Sequence, residues 1–317
     1  MTTLDETTAG LGGGCMGAAR LRGWKFCLLG GDRRQDYLGC RLARSGAEVW
    51  IVRRRPPGFP GLRHSRAKEP ALDGARVIVC PMAPFGPDGR VCSEDPEDLL
   101  ALTESDLDLL ARPSVLFAGS FPERLAAAAE KAGCRPVALN DMDEMAILNS
   151  VPTAEGALLM ALERTTVTLH SSKALVLGYG RTGQTMARTL LALRARVTVI
   201  ARRPAARARA RADGCEALPL EELAGALTDA RFVFNTIPAL VLTADALERA
   251  RPDVIIIDLA SAPGGTDFEA ARRLGLTAVL APGLPGRVAP ETAGGHLAEV
   301  VTRIALQSLA PVEVRPS

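Results

Sequence analysis

Residues 173–203 read KALVLGYGRTGQTMARTLLALRARVTVIARR, and the fold is decided there. A β-rich run, KALVL, meets Gly178, Gly180 and Gly183 in the spacing G-x-G-x-x-G; a helical pattern and a second β-rich run, RVTVIA, follow. The three glycines serve different ends, which are a tight turn, close approach of the backbone to a pyrophosphate, and tight packing of helix on strand. The pyrophosphate would meet the positive end of the helix. A glycine turn of purely structural use would not need strand, helix and second strand at these distances. The stretch predicts a Rossmann dinucleotide-binding domain whose phosphate loop is Gly178, Tyr179, Gly180, Arg181, Thr182 and Gly183.

The choice of dinucleotide is read where the second strand ends, because an NAD-binding domain usually places an acid there for the ribose hydroxyls. This chain has Ala201, Arg202 and Arg203 instead. An arginine can pair bidentately with a 2′-phosphate, so the sequence favours NADP(H) over NAD(H); the rival reading is that both arginines are merely solvated. Which of the two holds the phosphate is left open. Further loops of the same site are Thr236, Ile237 and Pro238, where FVFNTI ends, and Ser261, after VIIIDLA.

Working outward, β-rich runs alternate with helical patterns in two blocks, the mark of α/β domains with parallel sheets and crossover helices. The first block holds WKFCLL (24–29), AEVWIV (47–52), ARVIVC (75–80), PSVLFA (113–118) and RPVAL (135–139), with helices expected near 34–45, 97–110 and 122–133. The second continues from SKALVLG and ARVTVIA through RFVFNTI, DVIIIDLA and LTAVLA, with helices near 181–193, 204–212, 220–228, 243–250 and 267–274. Two doubly wound domains are expected. An N-terminal extension covers 1–23, a substrate domain 24–150 and the Rossmann domain 151–290, which opens with a linker helix at 151–165 started by Ser150 and Pro152. Residues 291–317 should form a helix across the junction. Ligands of such sheets sit beyond the carboxyl ends of the strands.

At 317 residues, 47% hydrophobic and 23% charged, the chain has the profile of a soluble globular α/β protein. A net charge of +2 leaves no electrostatic footprint for nucleic acid or an acidic membrane. Cys15, Cys27, Cys40, Cys80, Cys92, Cys134 and Cys215 form no C-x-x-C pair, and no metal-site spacing appears. They read as buried, reduced thiols of a cytoplasmic protein. The first 23 residues lack the apolar core of a signal peptide, and the longest apolar runs, such as VIIIDLA, are of strand length.

The first block opens KFCLLGGDRRQDYLGCRLARSGAEVWIV. It is not a second dinucleotide fingerprint, since Asp32, Arg33 and Arg34 stand where the second glycine would have to be. Basic side chains at a helix N-terminus suit carboxylates, the bland alternative being that they cover the helix surface. GGDRRQ (30–35), the NDMDE and NSVPTAEGA stretch from 140 to 157, GYGRTG (178–183), DLASAPGG (258–265) and APGLPGRVAPETAG (281–294) together resemble the A subunits of dipicolinate synthase. The resemblance covers nearly everything after residue 24. DLASAPGG and APGLPGRVAPETAG are also similar to segments of alanine dehydrogenase and transhydrogenase domains that flank the nicotinamide.

The resemblance implies an NAD(P)-dependent oxidoreductase of spore-forming bacteria, working in the mother-cell cytoplasm with a flavoprotein-like B subunit, with further copies of the chain as possible partners. It would oxidise dihydrodipicolinate, reached from hydroxytetrahydrodipicolinate, to dipicolinate. Two substrate carboxylates call for cations or hydrogen-bond donors, so Arg33 and Arg34 are the first choice, with Asp32 on the same turn and Ser120 as a possible donor completing the candidate substrate residues. Asp143, Glu144 and Ser120 are candidates for handling the ring proton, while Asp141 and Glu155 are as readily helix-capping or dipole-complementing acids. No covalent nucleophile arrangement is present. Two rival readings are an NADP-dependent alanine or hydroxy-acid type dehydrogenase, for which His64 is the only first-domain histidine, and an NADP(H)-binding protein without chemistry of its own.

Overall fold

The computed structural model describes residues 21–54, 61–86, 88–93 and 100–309. Residues 1–20 of the extension expected at 1–23, among them Cys15, part of the helix expected at 97–110 and the chain beyond 309 lie outside the described residues.

The first sheet comprises β1 (Lys25–Leu29), β2 (Glu48–Val52), β3 (Leu62–Ser65), β4 (Val77–Val79), β5 (Ser114–Ala118) and β6 (Cys134–Ala138). The second comprises β7 (Lys173–Leu177), β8 (Arg196–Ile200), β9 (Glu216–Leu218), β10 (Phe232–Asn235), β11 (Ile255–Asp258) and β12 (Thr277–Leu280). Their orders, β3-β2-β1-β4-β5-β6 and β12-β11-β10-β7-β8-β9, are the same doubly wound pattern, and every pairing is parallel. In each sheet the winding reverses beside the first strand, between β1 and β4 and between β7 and β10. Loops leaving those strand ends diverge and open a crevice. Runs such as FCLL, VLFA and the III of Ile255–Ile257 are apolar throughout because helices cover both faces of a parallel sheet.

Helices α1 (Arg33–Arg44), α2 (Glu69–Leu72) and α3 (Glu123–Lys131) belong to the first sheet. Then α4 (Asp143–Leu162) crosses to the second, which carries α5 (Arg181–Ala192), α6 (Pro204–Ala212), α7 (Leu223–Leu227), α8 (Ala244–Leu247) and α9 (Phe268–Arg273). The chain returns through α10 (Leu284–Val288) and α11 (Pro290–Leu309). The last helix packs on α1, and its Leu297, Val300, Val301 and Ile304 enter the core that holds Phe26, Leu28, Val115 and Phe117. Gly294 and Gly295 permit the contact, since a Cβ on Gly294 would lie 2.6 Å from the Arg34 carbonyl.

Several expectations change. The linker helix starts at Asp143, not at Ser150 and Pro152, so a domain boundary at 150/151 falls inside α4. Pro152 lies in its interior and cannot donate to the preceding turn. Around it, Ser150 donates to the Ile147 carbonyl at 2.6 Å and Thr153 to that of Asn149 at 2.7 Å. The helix is also apolar and long enough by composition to cross a bilayer, a possibility missed by weighing only unbroken runs, but half of it is buried against its neighbours. Within the described part of the helix expected at 97–110, a 3-10 turn runs from Glu104 to Leu109, held by Asp106, which accepts from Thr103 and from Lys68 at 2.6 Å. Another 3-10 turn, Leu220–Glu222, leads into α7 where one helix over 220–228 was expected. Leu21, counted with the extension, is fully buried in the first core. Cys27, Cys40, Cys80, Cys134 and Cys215 are buried and unbridged and Cys92 is exposed; burial pushes the Cys27 and Cys80 thiols far up.

Candidate functional site: a nucleotide cleft beside an arginine turn

At the end of β7 the chain turns through Gly178 (φ +90°), where a Cβ would lie 2.5 Å from the Thr236 hydroxyl. Gly183 sits under the loop, its absent Cβ 2.3 Å from the Gly178 carbonyl, which lets α5 press onto the strand. Gly180 differs from both: a Cβ there would touch nothing within 4 Å, so its missing side chain leaves open space. It is also the N-cap of α5 and provides no side-chain acceptor, leaving the first amides of the helix for an anion. The loop, the end of β8 and the end of β10 enclose a cleft of about 420 Å³. Gly178, Tyr179, Gly180, Arg181, Thr182, Ala201, Arg202, Arg203, Thr236, Ile237 and Pro238 line it, together with Ala206. Of the residues read from sequence, Gly183 supports the loop from beneath and Ser261 is exposed on the β11–α9 loop, outside the lining.

Ala201 is buried, so no acid closes the ribose end of the cleft. Arg202 and Arg203 are exposed, and among the described residues neither side chain makes an ion pair or hydrogen bond. Arg207, one turn on, holds this corner instead: its Nη1 donates to the carbonyls of Ala201 (2.8 Å) and Arg202 (2.6 Å). Tyr179 donates its hydroxyl to Asp213 at 2.8 Å, and burial together with that carboxylate pushes the phenol well above its usual range.

Sequence reading missed the polar core behind the cleft. Asp258 and Asn235, fully buried at the ends of adjacent strands, are joined at 2.9 Å. Asp258 also accepts from the amides of Ala260 (3.1 Å) and Gly265 (2.8 Å) and from the Thr266 hydroxyl (2.7 Å). Asn235 in turn fixes Ile237 through both of its backbone groups, at 3.0 and 3.1 Å. The loops after β10 and β11 are thereby clamped together. The D-L-A-x-x-x-G-G string was a signal, but not for this pairing, because Asn235 lies 23 residues from Asp258.

In the first domain Asp32 does not offer itself to a carboxylate substrate. Its side chain caps α1 by accepting the Arg34 amide (3.0 Å) and grips the Arg34 guanidinium through Nε (2.9 and 3.0 Å) and Nη2 (2.6 Å). Burial alone would raise its pKa, but the Arg34 hydrogen bonds and charge outweigh that and hold the carboxyl below its usual range. Asp32 is therefore a charged orienter of Arg34, and the positive helix end already has its own anion. Arg34 is buried and Arg33 exposed. A second pair not foreseen, Asp36–Arg54, lies nearby with both side chains less than a tenth exposed, and Arg54 also reaches the Gly31 carbonyl at 3.3 Å.

Ser120 is half-buried where β5 ends, and α3 takes Pro122 as its N-cap with no side-chain bond, so Ser120 does not cap it. Neither acid expected to handle the proton is unpaired: Asp143 binds Arg181 of the glycine loop at 2.8 Å, and Glu144 binds Arg303 of α11. Among the described residues no hydrogen bond or ion pair links Ser120, Asp143 or Glu144 to the Arg33–Arg34 turn. That turn meets another element: Gly286 on α10 approaches Asp32 and the Arg34 guanidinium so closely that a Cβ would lie 2.3 Å from Asp32 Oδ2.

Two doubly wound sheets, one carrying a phosphate-ready glycine loop, define the chain as a two-domain protein of the dehydrogenase class with a nicotinamide-dinucleotide-binding domain. Residues 25–140 match the family model for the N-terminal domain of the dipicolinate synthase A subunit, and residues 160–267 match that of shikimate/quinate 5-dehydrogenase. The chain is 37% identical over 289 residues to the dipicolinate synthase A subunit of Bacillus subtilis, covering 90% of this chain and 96% of the relative. It belongs to the family of dipicolinate synthase A subunits. The crystal structure of the A subunit from Bacillus halodurans superposes with a TM-score of 0.83 at 36% identity, covering 90% of this chain and 98% of that one. A transhydrogenase from Sinorhizobium meliloti, 16% identical with a TM-score of 0.60 over 89% of this chain and 94% of that one, shares the fold.

Proposed function

We propose that this protein binds NADP(H) in the β7–α5 cleft and oxidises dihydrodipicolinate to dipicolinate in the mother-cell cytoplasm of a sporulating bacterium, together with a B subunit. The observation that carries the reading is the uncapped N-terminus of α5 beneath Gly180, in a chain of this family. The residues present fit the dinucleotide: Gly180 leaves room for a pyrophosphate, and Arg202 and Arg203 are uncommitted where a 2′-phosphate would lie. When bound, NADP⁺ supplies the hydride acceptor. The protein's part is placement, because aromatisation of the ring makes the oxidation downhill.

Arg34, held rigid by Asp32, takes one substrate carboxylate with the donors Asp32 does not use, and Arg33 adds a second cation on the same turn. Gly286 brings α10, which follows the last strand of the nucleotide domain, against this turn, so substrate and nicotinamide would meet between the two sheets. The hydroxy-acid dehydrogenase alternative gains nothing from His64, which sits on edge strand β3 with Nδ1 2.9 Å from the Arg54 carbonyl. The test is to mix the isolated chain with NADP⁺ and dihydrodipicolinate and follow the absorbance of reduced nicotinamide. Reduction supports the reading; reduction only after the B subunit is added gives that partner an essential part. No reduction in either mixture overturns it.

A further inference from the structure

Arg181 stands at the meeting of two features described separately above. It is the first residue of α5, directly after the open position Gly180, and it lines the nucleotide cleft. Its Nη1 also lies 2.8 Å from Oδ1 of Asp143, the first residue of α4. The side chains of Arg181 and Asp143 are 46% and 85% exposed, so water competes for both and the pair is weak. A pyrophosphate at the end of α5 carries more charge than one exposed carboxylate and would draw the same guanidinium. Further along the two helices Ser150 and Thr185 share a 2.6 Å hydrogen bond, which keeps α4 and α5 in register whichever partner Arg181 holds.

On the reading that the cleft takes a dinucleotide, we propose that Arg181 has two alternating partners: Asp143 in the nucleotide-free protein and the pyrophosphate in the bound one. Dinucleotide binding then releases the Asp143 carboxylate at the start of the helix joining the two sheets. Asp143 is a competitor of the cofactor, and its freed carboxylate becomes available only once the nucleotide is in place.

The test compares NADPH dissociation constants by titration calorimetry for the wild-type chain, Asp143→Asn, Arg181→Gln and the double variant. Asp143→Asn should tighten NADPH two- to fivefold, Arg181→Gln should weaken it tenfold or more, and adding Asp143→Asn to Arg181→Gln should change nothing. Adenosine 2′-monophosphate, which lacks the pyrophosphate, should bind the wild-type chain and Asp143→Asn equally. Unchanged or weaker NADPH binding by Asp143→Asn would overturn the exchange. So would equal tightening in the Arg181→Gln background or towards adenosine 2′-monophosphate, since either would mean simple loss of a negative charge. A wild-type chain that binds no dinucleotide would overturn the cofactor assignment itself, and that result is read before any variant.

Discussion

Gly286 of α10 abuts the Asp32–Arg34 pair of α1, leaving 2.3 Å between Asp32 Oδ2 and the place a Cβ would take. The two sequence strings that mark the family, GGDRRQ and APGLPGRVAPETAG, thus meet at one point, although more than 250 residues separate Asp32 from Gly286 along the chain. Gly286→Ala should push the pair or the helix aside, costing about 1–3 kcal/mol in urea unfolding, as overpacking does. Gly225→Ala, where a Cβ meets nothing within 4 Å, is the control and should be neutral or better.

Arg33 and Arg34 should separate in their effects. Either alanine variant is expected to raise the KM for the dihydropyridine dicarboxylate tenfold or more, with NADPH affinity unchanged. Arg34→Ala should in addition lose about 1–3 kcal/mol of stability, because it strips Asp32 of its guanidinium, whereas Arg33, exposed on the helix, should cost little. A normal KM in both variants would remove this turn from the substrate site.

The depressed pKa of Asp32 makes a statement about acid stability. A carboxyl held lower in the folded chain than in the unfolded one stabilises at pH values above the unfolded pKa, about 3.9, and that contribution is lost as pH falls through the folded value. Asp32→Asn should therefore destabilise the protein at neutral pH, and the gap from wild type should close as the medium is acidified below about pH 4. A gap that stays constant with pH would mean that Asp32 does not act through its charge.

Two glycines of the phosphate loop predict opposite outcomes. Gly180→Val has space for the new side chain and should fold normally while abolishing dinucleotide binding. Gly183→Ala, with its Cβ 2.3 Å from the Gly178 carbonyl, should lower thermal stability instead. Changing Arg202 and Arg203 together to neutral residues should weaken NADPH relative to NADH by about 1–3 kcal/mol. Equal loss for both would move the 2′-phosphate elsewhere.

Asp258→Asn should cost about 2–4 kcal/mol, because it places an amide donor among the donors of Asn235, Gly265 and Thr266 in a fully buried site. Calorimetric unfolding checks this, and a loss below about 1 kcal/mol would mean that the network does not depend on the Asp258 charge.

The central strands were legible because burial on both faces makes them apolar along nearly their whole length, as in FCLL or VLFA. Edge strands β3, LRHS, and β9, EAL, escaped notice since they are short and carry polar residues, as sheet edges do. Pro152 misled the reading of α4: a proline near Ser150 fits a helix start, and nothing local reveals that the preceding turns are already wound. The nucleotide lining followed from a motif whose parts are close in sequence. The partners of Asp143, Glu144 and Asp258 did not, because Arg181, Arg303 and Asn235 are brought to them only by folding. Asp32 and Arg34 are near neighbours in the chain, yet the string GGDRRQ does not say whether the acid grips the second arginine or faces a ligand.

The return of α11 to the first sheet bears on the order in which the molecule can be completed on the ribosome. Every strand of the second sheet has been made once Leu280 emerges, and that sheet's own cores draw on no residue after Val288. The earlier-synthesised first sheet, by contrast, waits for Leu297, Val300, Val301 and Ile304 to cover Phe26 and Phe117. The half translated first is thus the half finished last, and a chain stopped at residue 289 would carry both complete sheets yet leave one of them with part of an apolar face uncovered beside α1.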